Sequence, residues 1–88
     1  MTYNGAMDDQ TVDYDSVGDT LYVQLGSEPV VRSTPLDDLR ILDYSADGAV
    51  VGIEFVGASG GLDLRDLSFG SRVEALVAGA GLTFPVFA

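Results

Sequence analysis

Apolar and polar side chains alternate without interruption from Thr20 to Leu25. Leu21, Val23 and Leu25 fall on one side, and Thr20, Tyr22 and Gln24 on the other. A period of two marks a strand buried on one face only. Shorter β-branched and aromatic runs flank it, at residues 11–15 before and 30–34 after. The turn Ser16-Val17-Gly18-Asp19, the break Ser27-Glu28-Pro29 and the stop at Pro35 set them apart. Residues 1–10 are polar and turn-prone (Asn4, Gly5, Asp8, Asp9) and read as a frayed, flexible terminus.

Residues 39–45 and 49–56 form the strongest pair, because Ala46-Asp47-Gly48 between them is a hairpin signal in which Gly48 accepts a positive φ cheaply. Two registers are open. A two-residue Asp-Gly turn puts Leu42 and Tyr44 on the face of Val51, Ile53 and Phe55. A type I turn with Gly48 as a bulge puts Ile41 there instead and sets Arg40 opposite Glu54. A slip of one residue exchanges the faces. The bulged turn is favoured because it gives Glu54 a cationic partner.

Beyond the hairpin, Gly57 to Gly61 is a loop, and Leu62, Leu64 and Leu67 are inward anchors of a short strand or helical turn. Ser71 and Glu74 have capping-box spacing. Val73, Leu76, Val77 and Ala80 follow at helical intervals, with Gly79 or Gly81 as the stop, which makes a helix of about two to three turns. Leu82-Thr83-Phe84-Pro85-Val86-Phe87 is a strongly apolar extended tail. The pattern predicts a single α+β domain over residues 1–88. It has a four- to five-stranded, mostly antiparallel meander at 11–56, loop and helix at 62–81 with the helix packed on one face, and the tail at 82–88. The tail residues Leu82, Phe84, Val86 and Phe87 either pack on the parent sheet or form an interface with another subunit, because an uncovered apolar tail is an aggregation liability.

Composition narrows the chemistry. With 88 residues the chain has room for one core, and a domain of this size buries only roughly 60–65% of its unfolded surface. It has neither cysteine nor histidine, which leaves no disulfide, thiolate, imidazole or ordinary zinc chemistry. Fourteen acidic residues against four arginines and no lysine give a net charge of −10. Such a surface repels phosphate backbones and anionic lipid, so no nucleic-acid or membrane partner is expected, whereas a basic protein is attracted. No basic leader and no long apolar run occurs, so the expected location is cytoplasmic.

Taken together, Tyr14-Asp15, Asp19-x-Leu21-Tyr22-Val23, Asp43-Tyr44 with Gly48, and Val51-Gly52-Ile53-Glu54-Phe55 with Ala58-Ser59 resemble a bacterial and phage family, domain of unknown function 2283. The resemblance spans about residues 12–59 and departs from the family pattern at Ser45, where an acidic residue is usual. It implies a small β-rich domain with no established activity and no catalytic residues to carry over. Some relatives are encoded beside small toxin-like proteins, which points by association to an antitoxin or partner-binding role.

Asp43-x-Ser45-x-Asp47-Gly48, with Glu54 closing the run, copies the spacing of a twelve-residue calcium loop. The flanks alternate as strands, however, and a hairpin keeps Glu54 away from the turn. Asp13-x-Asp15-x-x-Gly18 is a fragment of the same pattern with Gln24 at its twelfth position. Acidic turns of this kind more often bond their own backbone. Asp43 and Glu54 are the one carboxylate pair offered for acid–base work, and pairing of Glu54 with Arg40 or Arg32 is the more ordinary arrangement. Ser59, Ser68 and Ser71 have no histidine or lysine to activate them. Gly57-Ala58-Ser59-Gly60-Gly61 matches no phosphate-binding loop. The tyrosines are expected in packing. The expectation is therefore a non-enzymatic interaction module without cofactor or metal, homodimeric, with a small basic protein as its partner. A self-assembling structural homo-oligomer and an acidic-turn divalent-cation binder stand behind it.

Overall fold

The computed structural model describes residues 2–4 and 10–88. Two three-stranded antiparallel ribbons build one sheet. The first comprises β1 (Thr2–Asn4), β2 (Thr11–Asp15) and β3 (Thr20–Gln24); the second comprises β4 (Arg32–Pro35), β5 (Arg40–Tyr44) and β6 (Val50–Val56). They join where β3 pairs with β6, so the order is β1-β2-β3-β6-β5-β4, which departs from a sequential meander. Residues 25–31 carry the chain across from the centre of the sheet to its far edge. At the N-terminus, Thr2–Asn4 pairs with β2, where a frayed end was expected. Met1 and residues 5–9 of that expected flexible segment lie outside the described residues.

The β5–β6 register turns on two irregularities. The anticipated turn forms: Ser45 O accepts from Gly48 N at 3.0 Å, Ser45 N donates to Ala49 O at 2.9 Å, and Gly48 has φ +86°. Were this the only bulge, Ile41 would face Ile53. Tyr44 does pair with Val50, but Asp43 pairs with Gly52, so Val51 is a second extra residue on β6. Its carbonyl is held by the end of β3, accepting from Leu25 N at 2.8 Å and Gly26 N at 3.2 Å. The two bulges offset one another. Leu42 therefore lies opposite Ile53, Arg40 opposite Phe55, and Ile41 opposite Glu54. The expected Arg40–Glu54 pairing does not form, because the second bulge restores the register of a two-residue turn.

One face of this sheet carries the core. Leu21, Val23, Ile53, Phe55 and Val12 are fully buried there with Leu62 and Val73, each contributing about 1.5–3 kcal/mol by leaving water. Helix α1 (Gly70–Gly79) covers β2 and β3 on this face with Val73 and Val77. It begins before the expected capping box. Tight turns bond Leu67 N to Leu64 O and Gly70 N to Leu67 O, and they wind the chain into the helix early. Phe69 thus takes the cap position without a side-chain cap bond, and Ser71 lies inside the first turn. The far end is a Schellman motif: Leu82 N donates to Val77 O and Gly81 N to Ala78 O, with Gly81 at φ +77°.

The tail then returns along the same layer. Leu62 N bonds Pro85 O at 2.8 Å and Leu64 N bonds Phe87 O at 2.7 Å, which makes β7 (Leu62–Asp63) and β8 (Val86–Phe87) a short parallel pair. Leu82, Phe84 and Val86 are half-buried against the core, and the Phe84 ring meets Tyr14 edge-on at 5.0 Å. Phe87 remains 48% exposed.

Candidate functional site

The opposite face of the sheet is uncovered among the described residues. Strand alternation and the pairings place two cross-strand rows on it. One row runs Asp13, Tyr22, Glu54, Ile41, Pro35. The next runs Thr11, Gln24, Gly52, Asp43, Ser33. Asp15, Thr20 and Val56 continue the face, and Leu39, whose carbonyl accepts from Val56 N at 2.8 Å, extends it.

A tyrosine lying flat organises its centre. The Tyr22 hydroxyl donates to Asp43 Oδ2 at 2.8 Å, and Ser33 Oγ donates to Asp43 Oδ1 at 2.6 Å, which links β3, β5 and β4 across β6. Gly52 makes the crossing possible: a Cβ there would sit 1.9 Å from the Tyr22 hydroxyl oxygen. Burial, the bond to Asp43 and the charges of Asp43 and Glu54 push the Tyr22 phenol far above its ordinary value. A group whose folded pKa is raised supports folding below its unfolded pKa, about 10, and loses that support as pH rises beyond it. A spectrophotometric titration at 295 nm is expected to show Tyr22 resisting ionisation until the domain unfolds.

Glu54, beside this bridge, is half-buried, and no ion pair or side-chain hydrogen bond to it is found among the described residues. The arginines expected near it are elsewhere. Arg40 is buried on the core side, where Nε and Nη2 bind Asp37 Oδ2 at 3.0 and 2.8 Å and Nη1 binds Asp63 O and Arg65 O at 3.2 and 3.0 Å. Arg32 stacks on the Tyr44 ring at 4.4 Å. Arg65 pairs with Asp63 at 2.9 Å, and Arg72 donates to Leu25 O at 3.0 Å.

A second network fixes the end of the sheet. Asp19, in the left-handed region at φ +54°, accepts from the Tyr14 hydroxyl at 2.8 Å, Ser59 N at 2.9 Å and Ser59 Oγ at 2.6 Å. It thereby ties the β2–β3 turn to the 3₁₀ turn Ala58–Gly60.

These bonds hold several carboxyls below the usual carboxylate range. Asp19 is lowered by the Ser59 and Tyr14 hydroxyls, Asp37 by Arg40, Asp47 by the Ser45 hydroxyl, and Asp63, down to about 2, by Arg65. Their stabilisation is complete above the unfolded carboxyl pKa, about 3.9. It is lost as pH falls from there towards about 2. Thermal melts are accordingly expected to keep their midpoint down to pH about 5 and to lose it steeply between pH about 4 and 2.

The calcium-like run does not converge. Asp47 bonds Ser45 and Ala49 N at the hairpin tip, Asp43 sits under Tyr22, and Glu54 stands along β6. Among the described residues no group of three acidic side chains is placed to hold a metal. Asp15 bonds the N–H groups of Val17 and Gly18 in its own turn. Asp43 and Glu54 share the open face, and two shallow grooves, of about 370 and 350 Å³, lie by the helix and tail. No described helix is long and apolar enough to cross a membrane.

Tyr14, Asp19 and Ser59 in one network, and Tyr22, Asp43 and Gly52 in the other, all fall within residues 11–59, the segment that matches the family described as Protein of unknown function (DUF2283). The chain belongs to this family. No curated protein and no solved structure matches it. Within the matched segment, the tyrosines and aspartates of the family pattern act as struts of the sheet. Sequence reasoning placed the tyrosines in packing but missed Gly52 as the site of the crossing. The available signal was a glycine inside a strand, which marks close approach of another group.

Proposed function

We propose that this domain is a non-enzymatic interaction module whose acidic surface receives a basic protein partner, with a small toxin-like protein as the concrete candidate. The observation that carries this reading is the disposition of the cations. All four arginines are engaged within the chain, and none stands on the open face with Asp13, Asp15, Asp43 and Glu54. The negative field there is uncompensated and steers cations to the face. Affinity capture from the native host, identified by mass spectrometry, tests it. The expected result is a basic protein retained at low salt and released at ~0.5 M, where screening is short-ranged. Retention of a basic partner unaffected by salt, or recovery of the domain's own copies alone, would contradict it.

Self-assembly is the second reading, favoured by the 48% exposed Phe87 at the end of the tail. The β4 edge is a poor alternative route. Leu36 N donates to Arg40 O, so by ladder alternation Pro35 faces outward, where it offers no N–H to another strand. If the tail mediates dimerisation, Phe87→Ser halves the mass measured in solution; an unchanged mass removes the tail from the interface.

A further inference from the structure

We infer that the occupant of the open face is a lysine- or arginine-rich amphipathic helix supplied by the partner, an inference that rests on the basic-partner reading above. The face is divided by chemistry. Leu39, 58% exposed, with half-buried Ile41 and Val56 forms an apolar strip over β5 and β6, and Tyr22 continues it onto β3. Glu54 lies within the strip, Asp43 beside it, and Asp13 and Asp15 along β2. An element that fits must be apolar along its centre and cationic along its flanks.

Dimensions select a helix. Three strands spaced about 4.8 Å apart present a width of about 10 Å, which is the diameter of a helix with its side chains. Strand addition at β4 would meet the outward Pro35. A second copy of this chain is disfavoured because it would bring the same carboxylates face to face. The chain already covers its other face with α1 and the tail, so a helix here would complete a three-layer arrangement. Glu54, half-buried and without a partner among the described residues, is the group a lysine or arginine of that helix would meet.

The test uses the full chain and a synthetic peptide of about 18 residues, composed of leucine and lysine at helical spacing, long enough to hold a helix on a surface. A second peptide of the same composition has its order scrambled so that no apolar face forms. Binding is followed by fluorescence anisotropy at low salt for the native chain, Glu54→Gln, Ile41→Ser and, as an equal charge change on the helix side, Glu74→Gln. Melting curves confirm that each variant is folded. Expected are a Kd for the patterned peptide roughly tenfold weaker in Glu54→Gln and in Ile41→Ser, a change under about twofold in Glu74→Gln, and at least tenfold weaker binding of the scrambled peptide. Equal binding of both peptides, or equal losses from Glu54→Gln and Glu74→Gln, would overturn the helix-on-sheet inference and leave the charge-driven reading standing. Binding of neither peptide to the native chain would overturn both.

Discussion

Replacing Arg40 with methionine is expected to destabilise the domain by about 2–3 kcal/mol, the scale of lost hydrogen bonds to a charged donor. The loss is read as a lower urea midpoint at unchanged m-value. Methionine keeps the buried stem, so packing changes little, and the effect isolates the guanidinium. The ion pair itself is the smaller part, because Asp37 is 43% exposed and can rehydrate. The larger part is the pair of carbonyls, Asp63 O and Arg65 O, which one guanidinium nitrogen joins to β5. Without it the 63–65 segment loses its tie to the sheet, and two part-buried carbonyls lose their donor. Arg65→Met is the matched control: its side chain is 65% exposed and water screens its pair with Asp63, so its midpoint should scarcely move. Equal effects from the two substitutions would mean that Arg40 does not anchor the loop.

Gly52→Ala is expected to cost about 1–3 kcal/mol, the range for forcing an extra methyl into a packed site. Alanine in a strand interior would otherwise help by about 0.5–1 kcal/mol relative to glycine, so the sign decides the matter. The new Cβ would lie 1.9 Å from the Tyr22 hydroxyl oxygen and 2.6 Å from Cζ, and the ring is fixed by its bond to Asp43. In a Tyr22→Ala background the obstruction is gone, and the same substitution should become neutral or stabilising. The coupling in this double-mutant cycle, expected above about 1 kcal/mol, measures the crossing directly. An additive cycle would show that Tyr22 does not lie over Gly52.

Much of the architecture was readable from residue order. The strict alternation at 20–25, the Asp47-Gly48 turn and the helical spacing of Val73 and Val77 gave strands, hairpin and helix near their observed places. What escaped depends on contacts between segments far apart in the chain. The second bulge at Val51 exists because Leu25 and Gly26 pull its carbonyl towards β3, and nothing within residues 39–56 announces that pull. The β3–β6 crossover brings together strands separated by about a third of the chain, which local pattern cannot rank against a meander. Phe69 took the helix cap from Ser71 because turns upstream had already wound the chain. The open face was hidden for the same reason: its chemistry follows from which side Arg40 and Glu54 occupy, and the register alone sets that.

That register is the point on which the surface and its partner both depend, and cross-strand Hα–Hα contacts measured by nuclear Overhauser spectroscopy test it most directly. The pairing observed here predicts strong contacts between Leu42 and Ile53 and between Arg40 and Phe55. Strong contacts between Leu42 and Gly52 and between Arg40 and Glu54 would contradict it, because Glu54 would then own a cation and the uncompensated face would not exist.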